Sequence, residues 1–333
     1  DVTVTNIKRI LGSLNLEVDE IWVPENELGT FSLRLELKGT GLGTNGQGMT
    51  RDYAAASAYA EFMERFQNNV LGNTMMQAIY LNSDNKYFST PDEINFTAEE
   101  IIKENSSFIQ HFLKSNNLES SSFQEKVTFF KETQKLGPIL LNKDNCYPCL
   151  PYYSVGKNRV EYIPYFTSAP FYGTNGMCAG NSPEEALCEG FFEIYERIVL
   201  YKLFADRPVF PSIPYEYIKQ FPRILEMYEE LASNPDYIIE VKDCSFNGKY
   251  PVVGLLLCNK RTGTYGFKLG SHYDYEIALE RLFTEALQGK SVDDFAKKAV
   301  FDFSEKNTNK GANILNAFKA GLASFPLSLF EES

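Results

Sequence analysis

Twice in this chain a Gly-Thr-Asn-Gly tetrapeptide runs ahead of a Glu-x-x-Glu-Arg segment. The first copy joins Gly43–Gly46 to Glu61, Glu64 and Arg65; the second joins Gly173–Gly176 to Glu193, Glu196 and Arg197. Counted back from the arginines, one register sets Glu61 on Glu193 and Glu64 on Glu196, and also Gly48 on Gly180, Tyr53 on Glu185 and Ser57 on Glu189. A third, decayed copy is read at Arg281-Leu-Phe-Thr-Glu285-Ala-Leu-Gln288, with Arg281 in the place of Ser57 and Glu189. Two distant stretches must therefore build the same local unit, a glycine-rich loop followed by a helix. The loops alone are weak signals. Such a loop before a helix can hold phosphate on free amides, but no Gly-Lys-Ser/Thr follows to make a P-loop.

On a helix turning about 100° per residue, Ser57, Glu61 and Glu64 fall within roughly 60° of one another. Glu185, Glu189, Glu193 and Glu196 form the same stripe on the second helix. Like charges at these spacings cost about 0.2–0.5 kcal/mol per pair, so four in a row ask for a cation. With the two helices face to face, Glu61, Glu64, Glu193 and Glu196 converge into an oxygen-rich site, the ligand chemistry of Mg²⁺. One copy alone reads as a solvated charged face; two copies behind matching loops argue against that. Ala54, Ala58 and Ala60 flank the first stripe and permit close approach of another element. Arg65 leans off the stripe and is read as structural.

The rest of the sequence bounds the class. The 333 residues are 44% hydrophobic and 23% charged, as in an ordinary globular protein. Lys+Arg number 32 against Asp+Glu 44, a formal charge of −12, which argues against general nucleic-acid binding. The longest apolar run, Pro251 to Cys258, is too short to span a bilayer, and Asp1-Val-Thr-Val-Thr-Asn is no secretory signal. Six cysteines in so long a chain make no disulfide framework, so a reduced cytoplasmic setting is expected. Cys146-Tyr-Pro-Cys149 has no second pair to complete a zinc site and is read as two thiols in a loop between strands.

Strands are expected at Glu20–Pro24, Phe31–Lys38, Arg159–Pro164 and near 237–242, 250–258 and 264–269. A loop is expected from Gly39 to Thr50. Helices are expected over about Arg51–Val70, Thr97–Lys114, Pro183–Phe204 and Tyr275–Lys290, with Ser182 capping the third. Residues 73–145 are read as an irregular, mostly helical insertion. Alternating strands and helices give a mixed α/β (α+β) fold.

These residues resemble the YcaO family. Its first signature is met by Ser57, Glu61, Glu64 and Arg65. The second is met by Asn175 through Ala186 with Glu193, Glu196 and Arg197, and the third is similar to Arg281 through Gln288. The resemblance implies a single YcaO domain over 1–333, with two loop–helix copies facing across a nucleotide site. It also implies an ATP- and Mg²⁺-dependent enzyme that activates backbone amides of a peptide. A nucleophile adds to the amide carbonyl and the oxygen leaves as phosphate. A neighbouring Cys, Ser or Thr gives an azoline, a sulfide source a thioamide, an amine an amidine. By the same resemblance, Glu61, Glu64, Glu193 and Glu196 are the Mg²⁺ ligands. Ser57, Asn181, Glu185 and Glu189 are nucleotide contacts, and Arg197 and Arg281 are phosphate contacts. A catalytic base is not assigned; His272 stands nearest the third helix.

Two departures bear on the reading. Gly46-Gln47-Gly48 replaces a Gly-Lys-Gly of many relatives, and the family's C-terminal segment is not in this sequence. The leading expectation is a cyclodehydratase making azolines in a ribosomal peptide, with a thioamide-forming enzyme next. A non-catalytic ATP-binding accessory subunit and a conventional kinase are the rivals from other classes. No leader-binding domain fits ahead of the first loop, so a separate E1-like or TfuA-like partner is expected to present the peptide. A homodimer is admitted; nucleic-acid and membrane partners are not expected.

Overall fold

The computed structural model describes residues 2–24, 26–68, 70–71, 92–134, 146–165, 174–287, 291–321 and 323–332. Gly173, Gln288 and the parts of the expected insertion at 73–91 and 135–145 lie outside them. In chain order the elements are α1 (Val2–Ser13), β1 (Val18–Val23), β2 (Phe31–Leu37), β3 (Gly43–Gly48) and α2 (Arg51–Gln67). Next come β4 (Ile94–Phe96), α3 (Ala98–Glu104), α4 (Ser107–Ser115), α5 (Phe123–Gln134), β5 (Tyr147–Ser154) and β6 (Arg159–Pro164). Then follow α6 (Pro183–Ala205), α7 (Tyr215–Ile218), α8 (Pro222–Ser233), β7 (Tyr237–Asp243), β8 (Val252–Asn259), β9 (Thr264–Ser271) and α9 (Tyr275–Ala286). The last are α10 (Val292–Ala296), β10 (Ala299–Val300), α11 (Glu305–Thr308) and α12 (Gly311–Ala320). The fold is mixed α and β, and the strands pair antiparallel throughout the three sheets of the described residues. No helix among those residues is long and apolar enough to cross a membrane.

The chain divides into two compact units, one of residues 1–64 and 175–333, the other of 65–174. In the first, the sheet β10-β9-β8-β7 is covered on both faces. Val253, Leu255 and Leu257 of β8 meet α8, α9 and α10 through Met227, Leu282 and Phe295. Val252, Leu256 and Cys258 meet α6 and α12 through Val199, Leu203 and Ala317. Burial on both sides explains why the apolar run at 251–258 does not alternate. Each such Leu or Val contributes about 1.5–3 kcal/mol by leaving water.

The same unit holds the sheet β1-β2-β3. Here the expected loop at 39–50 is corrected: Gly43–Gly48 is a strand, paired residue for residue with β2 from Gly43 opposite Glu36 to Gly48 opposite Phe31. Its glycines serve close approach. A Cβ on Gly46 would lie 2.1 Å from the Ala58 nitrogen and 2.5 Å from the Ala54 oxygen, and one on Gly48 2.6 Å from the Tyr53 Cβ. Ala54 and Ala58 are fully buried, so helix and strand backbones touch. The helix α1 carries no expectation from the sequence reading; Leu11 buries its inner face, and Lys8 pairs at 2.7 Å with Glu20 of β1.

In the second unit, β4-β5-β6 packs under α3, α4 and α5 through Ile101, Ile109, Phe112, Val127, Phe130 and Tyr147. The single helix expected from Thr97 to Lys114 is two. Asn105 turns left-handed at φ 51° and Ser106 caps a new start by accepting from the Ile109 amide. The CxxC pair also departs from expectation: Cys149 lies within strand β5, not in a loop, and burial pushes its thiol up to about 12. A thiol so raised is neutral at ordinary pH, unlike a metal-binding or redox cysteine.

Candidate functional site

Helix α6 starts where the sequence marks it. Ser182 accepts from the Glu185 amide and Pro183 opens the first turn. Residues 174–181 then fold back along this helix, held by the very side chains of the glutamate stripe. The Gly176 amide donates to Glu193 Oε2 at 2.6 Å, and Arg197 Nε donates to Asn175 Oδ1 at 2.6 Å. The Asn181 amide donates to Glu185 Oε2 at 3.0 Å. Gly176, at φ +80°, makes the turn that aims its amide this way. Thr3 of α1 reaches the same loop, its Oγ1 donating to Asn181 Oδ1 at 2.8 Å.

The two sequence copies share seats but not structure. Gly48 presses on Tyr53 and Ala54, while Gly180 presses on the matching Glu185 and Ala186. Gly46 presses on Ala58; at the matching positions Cys178 lies against Gly190, with the small residue moved to the helix. The parallel ends there, because Gly43–Gly48 is a sheet strand and residues 174–181 form turns and irregular backbone.

Charge then gathers on one side of α6. Arg197 pairs with Glu193 at 3.2 Å and lies 3.9 Å from Glu196. From α9, Arg281 pairs with Glu189 at 2.6 Å and with Glu285 at 3.6 Å. From β9, Lys268 pairs with Glu285 at 2.8 Å. Three cations thus interleave with four carboxylates. Glu196 is the buried member, only 5% exposed. Burial, then the charge of Glu285, pushes its carboxyl up to about 8, against the pull of Lys268, Arg197 and Arg281. Burial pushes Glu285 the same way, but Lys268 and Arg281 hold it below the usual carboxylate range.

Cys178 links this side to α2. Its thiol is raised first by burial, next by Glu64, and further by Glu193 and Glu189. Glu64 therefore lies close enough to the α6 carboxylates to share one neighbour with them. Glu61 lies half-buried one turn earlier on α2, and Ser57 half-buried a turn before that. Among the described residues no three His, Cys, Asp or Glu side chains stand close enough together to hold a metal ion. The full four-glutamate convergence expected from the repeats is not present. Glu193 is bonded to the Gly176 amide and Arg197 instead, and Glu196 is turned into the Lys268–Glu285–Arg281 network. The donor chemistry still fits the expected cofactors: hard carboxylate oxygens for Mg²⁺, and two guanidiniums and an ammonium for phosphate oxygens.

Gln47 lies on the face of β3 away from α2, and its Oε1 is buried without a hydrogen-bond partner. His272 stacks on Tyr273 at 4.4 Å and lies tilted against Phe192 at 4.7 Å between ring centres, and its Nδ1 accepts from the Asp274 amide at 3.0 Å. It braces the start of α9. Thr3 and Lys268 carry no expectation from the sequence, and Glu285, read within the third copy, is given no role there. Glu285 had a signal, one turn after Arg281; Lys268 and Thr3 had none.

Residues 45–327 match the family model described as YcaO cyclodehydratase, ATP- and Mg²⁺-binding. The chain is 30% identical over 293 residues to an uncharacterized protein of Haemophilus influenzae, covering 85% of this chain and 47% of that protein. It is 28% identical over 297 residues to the ribosomal protein S12 methylthiotransferase accessory factor YcaO of Escherichia coli, with the same coverage of 85% and 47%. The chain thus spans about half the length of the curated relatives it matches. A heterocyclase solved in complex with substrate and cofactor has the same fold, with TM-score 0.56 and 17% identity over 89% of this chain and 41% of that one.

Proposed function

The chain belongs to the YcaO family, and on that premise we propose that it is an ATP- and Mg²⁺-dependent enzyme that activates peptide backbone amides, a cyclodehydratase making azolines in a ribosomal peptide. The observation that carries this reading is the charged face shared by α6, α9 and β9. An amide oxygen is a poor leaving group, and ATP with Mg²⁺, when bound, supplies the phosphoryl group and charge screening that make it a good one. The protein's part is positioning and neutralisation. Arg197 and Arg281 present fixed forks for phosphate oxygens, and Lys268 adds a point charge behind them. Glu64, Glu193 and Glu196, with Glu61, offer carboxylate oxygens to the metal. Ser57, Asn181, Glu185 and Glu189 are assigned to the nucleotide. For Arg281 and Arg197 to take phosphate they must exchange their present partners, Glu189 and Glu193. An anionic ligand and a cation arriving together leave each of those charges matched.

The peptide comes with a separate recognition partner, E1-like or TfuA-like. The test combines chain, partner and candidate peptide with ATP, and reads phosphate release and peptide mass together. Loss of one water per site supports azoline formation; exchange of oxygen for sulfur, with a sulfide source, moves the assignment to thioamide formation. A stable gain of phosphate marks a kinase and overturns the reading. A second reading, an ATP-binding accessory subunit, is favoured by the name of the Escherichia coli relative. It predicts that Glu64→Gln and Glu196→Gln leave product formation unchanged.

A further inference from the structure

Side chains of β9 alternate between its two faces. Phe267 and Leu269 enter the core beside α6, while Gly266, Lys268 and Gly270 point the other way. Both glycines serve close approach. A Cβ on Gly266 would lie 2.2 Å from the Phe295 oxygen of α10, and one on Gly270 2.9 Å from the Ala278 oxygen of α9. Backbone therefore rests on the strand on either side of Lys268, and between those contacts Lys268 is the only side chain that this face offers. Its stem ends at Glu285 of α9. The ammonium stands 2.8 Å from Glu285 Oε2, and Arg281 Nε lies 3.6 Å from Glu285 Oε1. Each oxygen of that carboxylate thus faces a cation.

Glu196 belongs to the same cluster. Glu285 is the charge that acts on it most strongly. Burial pulls the Lys268 ammonium down, but Glu285 and then Glu196 outweigh it and hold the group above its ordinary range. One ammonium therefore serves two carboxylates. Carboxylates crowded in this way are the usual ligands of a hard divalent ion, and an ammonium is a compact point charge that meets the same oxygens without a metal. We infer that Lys268 is a resident counter-ion that holds a metal's place at Glu285, closing this carboxylate to divalent ions and leaving them to the glutamates of α2 and α6. The inference rests on the nucleotide reading of this face and adds to it a residue that sets how many metal ions the site takes. Glu285 has no oxygen left for a metal while Lys268 and Arg281 hold it. With Lys268 gone, one oxygen of Glu285 is released beside Glu196, and a divalent ion finds two carboxylates there.

Equilibrium dialysis of the 333-residue chain against Mn²⁺, whose ligand preference matches that of Mg²⁺, counts bound metal directly, with a non-hydrolysable ATP analogue present. Lys268→Ala is expected to bind one ion per chain more than the parent, and Lys268→Arg, which keeps a cation, the same number as the parent. Lys268→Ala combined with Glu285→Gln is expected to lose the extra ion, which assigns it to Glu285. Should Lys268→Ala fold poorly, Lys268→Gln removes the charge while keeping most of the stem, and the same gain is expected of it. Equal counts in the parent and the neutral variants reduce Lys268 to a structural ion pair; they overturn the inference and leave the nucleotide reading standing. A parent that takes no Mn²⁺ with the analogue overturns that reading, and the inference with it.

Discussion

A methyl group added to Gly46 would sit 2.1 Å from a backbone nitrogen of α2, and neither the strand nor the helix can yield without losing its hydrogen bonds. Gly46→Ala is expected to cost about 3 kcal/mol, read as a drop in the urea midpoint at unchanged slope; a loss below about 0.5 kcal/mol contradicts the close packing of β3 on α2. Glu196 gives a prediction of opposite kind. Its carboxyl, pushed up to about 8 chiefly by burial, holds a proton below that pH, while a metal ion needs the carboxylate. Mg²⁺-ATP affinity should rise with pH by up to about tenfold per unit and level off above about 8. Calorimetric titration across pH 7–9 checks it, and Glu196→Gln removes the slope. The stripe residues on α2 and α6 were legible because a repeated i, i+3, i+4 spacing of carboxylates has few other uses. Lys268 was not. A single Lys in the alternating Thr264–Ser271 strand has the look of a surface residue, and only the packing of α9 turns Glu285 onto it.

At the scale of elements, residues whose pattern agreed with their environment were read correctly: α6 with its Ser182 cap and Pro183, β6 at Arg159–Pro164, and the buried run of β8. The strand β3 was read as a loop because Gly-Thr-Asn-Gly-Gln-Gly has the composition of a turn. Its conformation is imposed from outside, by the β2 ladder on one edge and the backbone of α2 on one face. The break between α3 and α4 was missed for a related reason: Asn105 and Ser106 are tolerable inside a helix and here act as stop and start. The new start of α4 is also tied to β6. Glu161, buried, accepts from the Ser107 amide at 2.9 Å and pairs with Lys157 at 2.9 Å and Arg159 at 3.1 Å. Burial alone would raise its carboxyl, but the Ser107 amide, Lys157 and Arg159 together hold it down to about 2, from 4.5. A depressed carboxyl stabilises the fold above its unfolded value, and that contribution fades as pH falls from about 4.5 toward 2. Half-exposed cations reduce it, leaving about 2 kcal/mol. Glu161→Gln should lose that amount at pH 7 and little at pH 2.5 in denaturant melts; equal losses at both pH values contradict the assignment.

At the scale of the whole molecule, mixed α/β architecture followed from alternating patterns, but antiparallel pairing throughout the described sheets did not. Strand direction depends on which elements meet, and periodicity along one strand is blind to it. The site divides in the same way. Its candidate residues could be named from the sequence one by one, while their present partners could not, because Arg281 with Glu189 and Arg197 with Asn175 are pairings made by the fold. On the proposed reading, glutamates of α2 and α6 hold Mg²⁺, and through it the nucleotide's phosphates, beside Arg197, Arg281 and Lys268. Titration calorimetry of ATP into the chain, with Mg²⁺ and then with EDTA, tests it most directly. Binding that requires Mg²⁺, weakens at least about tenfold in Glu64→Gln and in Glu196→Gln, and is unmoved by Glu104→Gln on α3 is the predicted result. Parent-like, Mg²⁺-dependent affinity in both site variants contradicts it.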